Sequence, residues 1–175
     1  MTTANATEVD VAGPEEVGAV PVDTALDPAD VECWARGNAL PPLFIEARPG
    51  CLDSRAKFLD WVAANRSAID DLVVRHGAIV FRGFPLVTAE DFNAFAEVFP
   101  QYGPGYVAGA SPRQKVVGNV LESSRLDGAM TIEVHSEMNY LHDFPARICF
   151  FCEAKADEAG ETTIAEGAAS MASCD

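Results

Sequence analysis

The residues with the clearest chemical potential are His135-Ser136-Glu137. In an extended segment, residues i and i+2 point to the same side. An imidazole and a carboxylate can therefore converge on one metal ion from a single strand end. Together they make two thirds of a 2-His-1-carboxylate facial triad, the ligand set of non-haem Fe(II) oxygenases. Such a triad leaves three of six coordination positions open, enough for a bidentate co-substrate and dioxygen. The tripeptide alone also fits an exposed polar loop, and a structural zinc site using His135, Glu137 and a cysteine is a third reading. The chain has two other histidines. His76 lies at the end of a helical stretch, where a C-terminal dipole favours it as a structural residue. His142 follows Glu137 by five residues, so as a ligand it would have to bend back across Leu141–Pro145.

Five cysteines are present: Cys33, Cys51, Cys149, Cys152 and Cys174. An odd, scattered set is no disulfide framework. Cys149-x-x-Cys152 sits in the apolar run 148–152. No second pair follows it, so both are expected as small buried strand residues.

These groups need elements to position them. A helix is expected from about Ser54 to Arg75, capped by Asp53 or Ser54, with Phe58, Trp61, Val62, Ile69, Leu72 and Val73 at helical spacing. Asn65 is a polar break in that stripe, and Gly77 can end the helix in a left-handed conformation. Residues 78–81 read as a short buried strand. A second helix is expected over 89–99, with Thr88 as cap, Asp91 completing a shortened capping box and Phe92, Phe95, Ala96 and Phe99 as its stripe. The segment 31–52 reads as extended chain packed on the body. Residues 100–114 read as a loop, 116–121 as a strand, 147–153 as a buried strand and 161–165 as another. Residues 167–172 look like the first turn of a helix. Helices lead and strands follow, which predicts an α+β fold with an antiparallel sheet.

Composition narrows the function. The chain has 175 residues, the size of one ordinary domain. With 27 acidic against 12 basic residues, its formal net charge is −15. That argues against nucleic acid and against an anionic membrane surface as partners. No apolar run is long enough to span a membrane. Residues 1–35 carry no Lys or Arg and do not read as a secretory signal, so a cytoplasmic location is expected. Residues 1–30 hold seven acidic residues and no periodic apolar face. They read as a flexible acidic tail, or as a partner-binding arm.

From about residue 40 to 172 the chain resembles the TauD/TfdA family of Fe(II)/2-oxoglutarate-dependent dioxygenases. The resemblance is carried by His-Ser-Glu-Met-Asn-Tyr at 135–140, Phe144-Pro145, Ile-Cys-Phe-Phe-Cys at 148–152 and Gly-Glu-Thr-Thr-Ile-Ala at 160–165. Upstream, His-Gly-Ala-Ile-Val-Phe-Arg-Gly-Phe at 76–84 is similar to the family's early strand. The likeness is to the branch with clavaminate-synthase-like and SyrP-like members, which hydroxylate amino-acid or peptidyl substrates in natural-product pathways. It implies that His135 and Glu137 are the first two iron ligands. It also implies that Thr162 bonds a carboxylate of 2-oxoglutarate; read without the family, Thr162 is a β-branched strand residue. Met138 and Asn139 would line the substrate cavity, or serve as a core residue and a turn residue.

The implied fold is a double-stranded β-helix, a jelly roll, with flanking N-terminal helices. The implied reaction couples oxidative decarboxylation of 2-oxoglutarate to hydroxylation of a small-molecule substrate. In the family, the second His and the basic anchor for the distal carboxylate lie further downstream. This chain reaches Asp175 before either, and neither Arg147 nor Lys155 matches the anchor. The expectation is therefore an acidic tail at 1–30, then an incomplete jelly roll over 31–175 that is inactive alone and exposes sheet edges. A homo-oligomer or a complementing chain would supply the rest. The alternative is a non-catalytic binding or regulatory module.

Overall fold

The computed structural model describes residues 18–37, 41–105, 113–123, 135–138, 140–155, 157 and 162–165. Asn139, Glu161 and the expected helical turn at 167–172 lie outside them, as do residues 1–17 of the expected tail.

Four strands form one sheet in the order β1 (Ala19–Pro21), β2 (Val31–Arg36), β3 (Leu43–Ala47), β4 (Ile79–Arg82). β1 pairs antiparallel with β2, and β2 with β3, in a register that sets Trp34 opposite Phe44. β3 and β4 run parallel, Leu43 beside Ile79. The sheet is thus mixed, where an antiparallel one was expected. A parallel pair needs a crossover, and two helices supply it.

The position of β1 corrects the expected tail at 1–30. Residues 19–21 are an edge strand, and Leu26 is buried. Segment 31–52, expected only as extended chain, holds the two inner antiparallel strands. β3 is buried on both faces. Leu43 and Ile45 share one side and join the core. Phe44 faces the other, stacked on Trp34 at 4.0 Å between centroids, with the Arg82 guanidinium 4.9 Å from its ring centroid. The guanidinium and the Trp34 ring together cover Phe44 on this face.

The expected 54–75 helix is two: α1 (Arg55–Ala64) and α2 (Arg66–His76). Ser54 caps α1 by accepting from the Lys57 backbone N–H. The division falls at Asn65 (φ −101°, ψ 10°), whose backbone N–H and side-chain amide both donate to the Trp61 carbonyl, at 3.0 and 2.9 Å. Gly77 ends α2 at φ +72°, a region open to glycine at little cost. α3 (Ala89–Glu97) starts with the expected capping box: Thr88 Oγ1 accepts from the Asp91 N–H, and Asp91 Oδ2 from the Thr88 N–H. Asp91 Oδ1 also accepts from Arg55 at 2.8 Å, tying α3 to α1.

The core is an aromatic cluster around Phe58, which is fully buried. Its ring lies 4.3 Å from Phe84 and 5.8 Å from Phe95, centroid to centroid. Phe95 in turn meets Phe81 and Phe99 edge-on. The α+β expectation holds: three helices pack with a four-stranded sheet.

Three later expectations differ. Residues 116–121 form a hairpin, β5 (Lys115–Val117) and β6 (Val120–Leu121), turned at Gly118-Asn119. Asn93 Oδ1 on α3 accepts from the Asn119 N–H and holds that turn. Residues 147–153 are not a strand, and neither are 162–165. An apolar run becomes a strand only beside a partner, and among the described residues none pairs with either. Phe151, stacked on Phe92 at 5.3 Å, and Arg147, paired with Asp70, anchor the first run. Ile148 and Phe150 face solvent, and Cys149 and Cys152, expected buried, are exposed.

Candidate metal centre

His135 and Glu137 do converge. His135 Nε2 lies 3.6 Å from Glu137 Oε2. Two ligands in neighbouring octahedral positions, each about 2.1 Å from a metal, sit about 3 Å apart. The observed separation is within a small side-chain adjustment of that value. The imidazole side chain is 58% exposed and the carboxylate 19%, so the pair sits at a rim with its acidic member turned inward.

The chain reverses immediately after this pair. Met138 has φ +58°, a left-handed conformation that costs a non-glycine residue about 1 kcal/mol. Its carbonyl accepts from the Leu141 N–H at 3.1 Å, closing a turn. Met138 itself is buried, which holds the backbone in this conformation. It also lines the hollow described below.

Glu137 has a second partner. Arg113 donates through an NH2 group to Glu137 Oε1 at 3.1 Å, and both side chains are less than a fifth exposed. The two carboxylate oxygens are thus divided: Oε1 faces the guanidinium and Oε2 faces the imidazole. The sequence carries no spacing signal for Arg113, which lies at the end of a Gly- and Pro-rich stretch that reads only as a loop.

Beside the pair is an open hollow of about 1050 Å³, just above the ~300–1,000 Å³ range of small-molecule pockets. Phe92, Phe99, Tyr102, Arg113, Glu137 and Met138 are among its walls. Tyr102 donates to the Asp143 carbonyl at 2.6 Å and pins the loop that follows the metal-ligand candidates. Arg147 pairs with Asp70 of α2 and lies over the Phe99 ring.

The remaining expected site residues stand apart. Thr162 is exposed and is not among the residues lining the hollow. His142 is exposed. His76 is the last residue of α2 and 8% exposed. Its pKa is pushed down by burial and by neighbouring Arg75. Among the described residues, no third His, Cys, Asp or Glu joins His135 and Glu137. The donor chemistry, one imidazole nitrogen and one carboxylate oxygen, fits two positions of a facial Fe(II) site.

The site is thus a His-x-Glu pair beside an open hollow, carried by an α+β body. Residues 39–174 match the profile of the taurine catabolism dioxygenase TauD, TfdA family. The chain belongs to that family. It is 36% identical over 107 residues to a clavaminate synthase-like protein of Arabidopsis thaliana, a match covering 61% of this chain and 32% of the relative. It is 30% identical over 98 residues to the dapdiamide synthesis protein DdaC of Enterobacter agglomerans, covering 56% and 30%. The matched stretch thus spans about a third of the length of the curated relatives. Among the described residues no helix is long and apolar enough to cross a membrane.

Proposed function

We propose that this chain carries the first two metal ligands of an Fe(II)/2-oxoglutarate-dependent dioxygenase that hydroxylates a small amino-acid-like or peptidyl substrate. The observation that carries the reading is the convergence of His135 Nε2 and Glu137 Oε2 at 3.6 Å, within a chain of the TauD/TfdA family. When bound, the iron and 2-oxoglutarate would supply the oxidising chemistry, with succinate and carbon dioxide as co-products. The chain's residues do the positioning. His135 offers a neutral nitrogen and Glu137 a charged oxygen. Met138 fixes the turn that aims them. Phe92, Phe99 and Tyr102 wall the hollow where a substrate would sit away from water. Thr162 takes a 2-oxoglutarate carboxylate only if its segment folds toward the pair. A second His, supplied by a further segment, a complementing chain or a second copy, completes the triad within a jelly roll.

The alternative is a non-catalytic binding module, favoured by the exposure of Phe144, Ile148 and Phe150 beside the hollow. Anaerobic titration with Fe(II) and 2-oxoglutarate separates the two. The expected result is a visible charge-transfer band in the wild-type chain that is lost in His135→Ala. No band from a folded sample, with or without a complementing downstream segment, would rule out the dioxygenase reading.

A further inference from the structure

Arg113 and Glu137 raise a question that the ligand pair alone does not answer. A carboxylate can bind a metal through one oxygen or two. Binding through two would consume an extra coordination position. A three-ligand face has to leave three positions open for a bidentate co-substrate and dioxygen. Something must therefore keep Glu137 a one-oxygen ligand.

The structure contains such a device. Arg113 holds Oε1 at 3.1 Å, while Oε2 is the oxygen facing His135. The two oxygens have different partners before any metal is considered. The Arg113 side chain is 15% exposed and that of Glu137 is 19% exposed, so neither swings freely in solvent. The backbone on the ligand side is also fixed, because Met138 is buried in its left-handed turn. The guanidinium is always charged and donates in a rigid plane, so Oε1 stays occupied over the whole physiological pH range.

We infer that Arg113 is a positioning residue that restricts Glu137 to one-oxygen metal ligation and so keeps the facial site open. Outer partners that orient a metal ligand commonly change metal affinity by about 10- to 100-fold when removed. The inference rests on the dioxygenase reading above, because it needs a metal at His135 and Glu137.

The test uses the full chain and Co(II), titrated anaerobically as a spectroscopic stand-in. Binding is followed by d–d absorption, and the Glu137 carboxylate by infrared difference spectra. The wild type is expected to show the widely separated carboxylate stretches of one-oxygen ligation. Arg113→Met is expected to narrow that separation and to weaken Co(II) binding by about 10- to 100-fold. Arg113→Lys, which keeps a charged donor, is expected to restore the wide separation. A two-oxygen signature in the wild type overturns the inference without any variant. So does an Arg113→Met protein that keeps the wild-type spectrum, or that binds Co(II) more tightly because a competing cation has gone. If wild-type binding does not depend on His135, the metal reading fails and this inference goes with it. Dependence on His135 without an Arg113 effect overturns the inference alone.

Discussion

His76 closes α2 with 8% of its surface exposed. Among the described residues neither of its ring nitrogens has a hydrogen-bond partner. Burial and the adjacent Arg75 both disfavour its protonated form. In the unfolded chain the same imidazole titrates near pH 6.5. Just below that pH the unfolded state binds more protons than the folded one, so stability falls as pH falls. His76→Leu removes this proton uptake together with two unsatisfied polar atoms. Urea midpoints measured at pH 7.5 and pH 5.5 should drop for the wild type and stay nearly level for the variant. Parallel declines in the two proteins would place the acid sensitivity elsewhere. The sequence identified His76 as structural, because its place between a helical stripe and Gly77 is a local pattern. It did not reveal that the ring is buried. The candidate site divides in the same way. His135 and Glu137 are legible because i, i+2 spacing is local. Arg113 is not, because it reaches Glu137 across 24 residues and its own segment has no periodicity.

At the scale of elements, α1 and α3 are joined through one carboxylate. The Arg55 guanidinium hydrogen-bonded to Asp91, with further bonds from the Val87 and Thr88 N–H groups, holds the Asp91 carboxyl at a pKa of about 2. An unfolded Asp titrates near 3.9. The stabilisation is therefore present above about pH 4 and is lost as pH falls toward 2. Asp91→Asn should lower the thermal midpoint at pH 7 and make little difference at pH 2. An equal loss at both pH values would mean that the charge is irrelevant. Thr88→Ala removes the other half of the box and should cost about 1 kcal/mol in urea unfolding. Phe58→Ala, at the centre of the ring cluster, should cost about 3–5 kcal/mol. If Phe58→Ala proved no worse than Thr88→Ala, the aromatic cluster would not be the core. Both helix starts were readable because a cap is satisfied within three or four residues. The break at Asn65 was less legible, because a polar residue within a helical stripe does not by itself show that its backbone leaves the helical region. Strands 147–153 and 161–165 were misread for the opposite reason. Their apolar content was plain, but a strand is made by a distant partner, and none of the described residues offers one.

Two properties of the whole molecule pull against each other. The chain carries a net charge of −15, which opposes self-association. It also presents Tyr140, Phe144, Ile148 and Phe150 to solvent, with Phe150 66% exposed, within eleven residues of chain. Clustered exposure of large apolar groups marks an interaction surface or an aggregation liability. Charge repulsion between molecules is screened within about 10 Å at 0.1 M salt, and apolar attraction is not. Association of the purified chain should therefore rise with salt. Sedimentation velocity at 20 mM and 500 mM sodium chloride (roughly spanning that screening length) should show heavier species at the higher salt. The double variant Phe144→Ser/Phe150→Ser should stay light at both. Because more than half of each residue is already exposed, the variant's unfolding free energy should move by no more than about 0.5 kcal/mol per substitution. A salt-induced shift that survives the double variant would locate the sticky surface elsewhere. A large loss of stability would mean that these rings are covered in solution. Should the variant remain light and stable, this apolar strip is the surface through which copies of the chain associate.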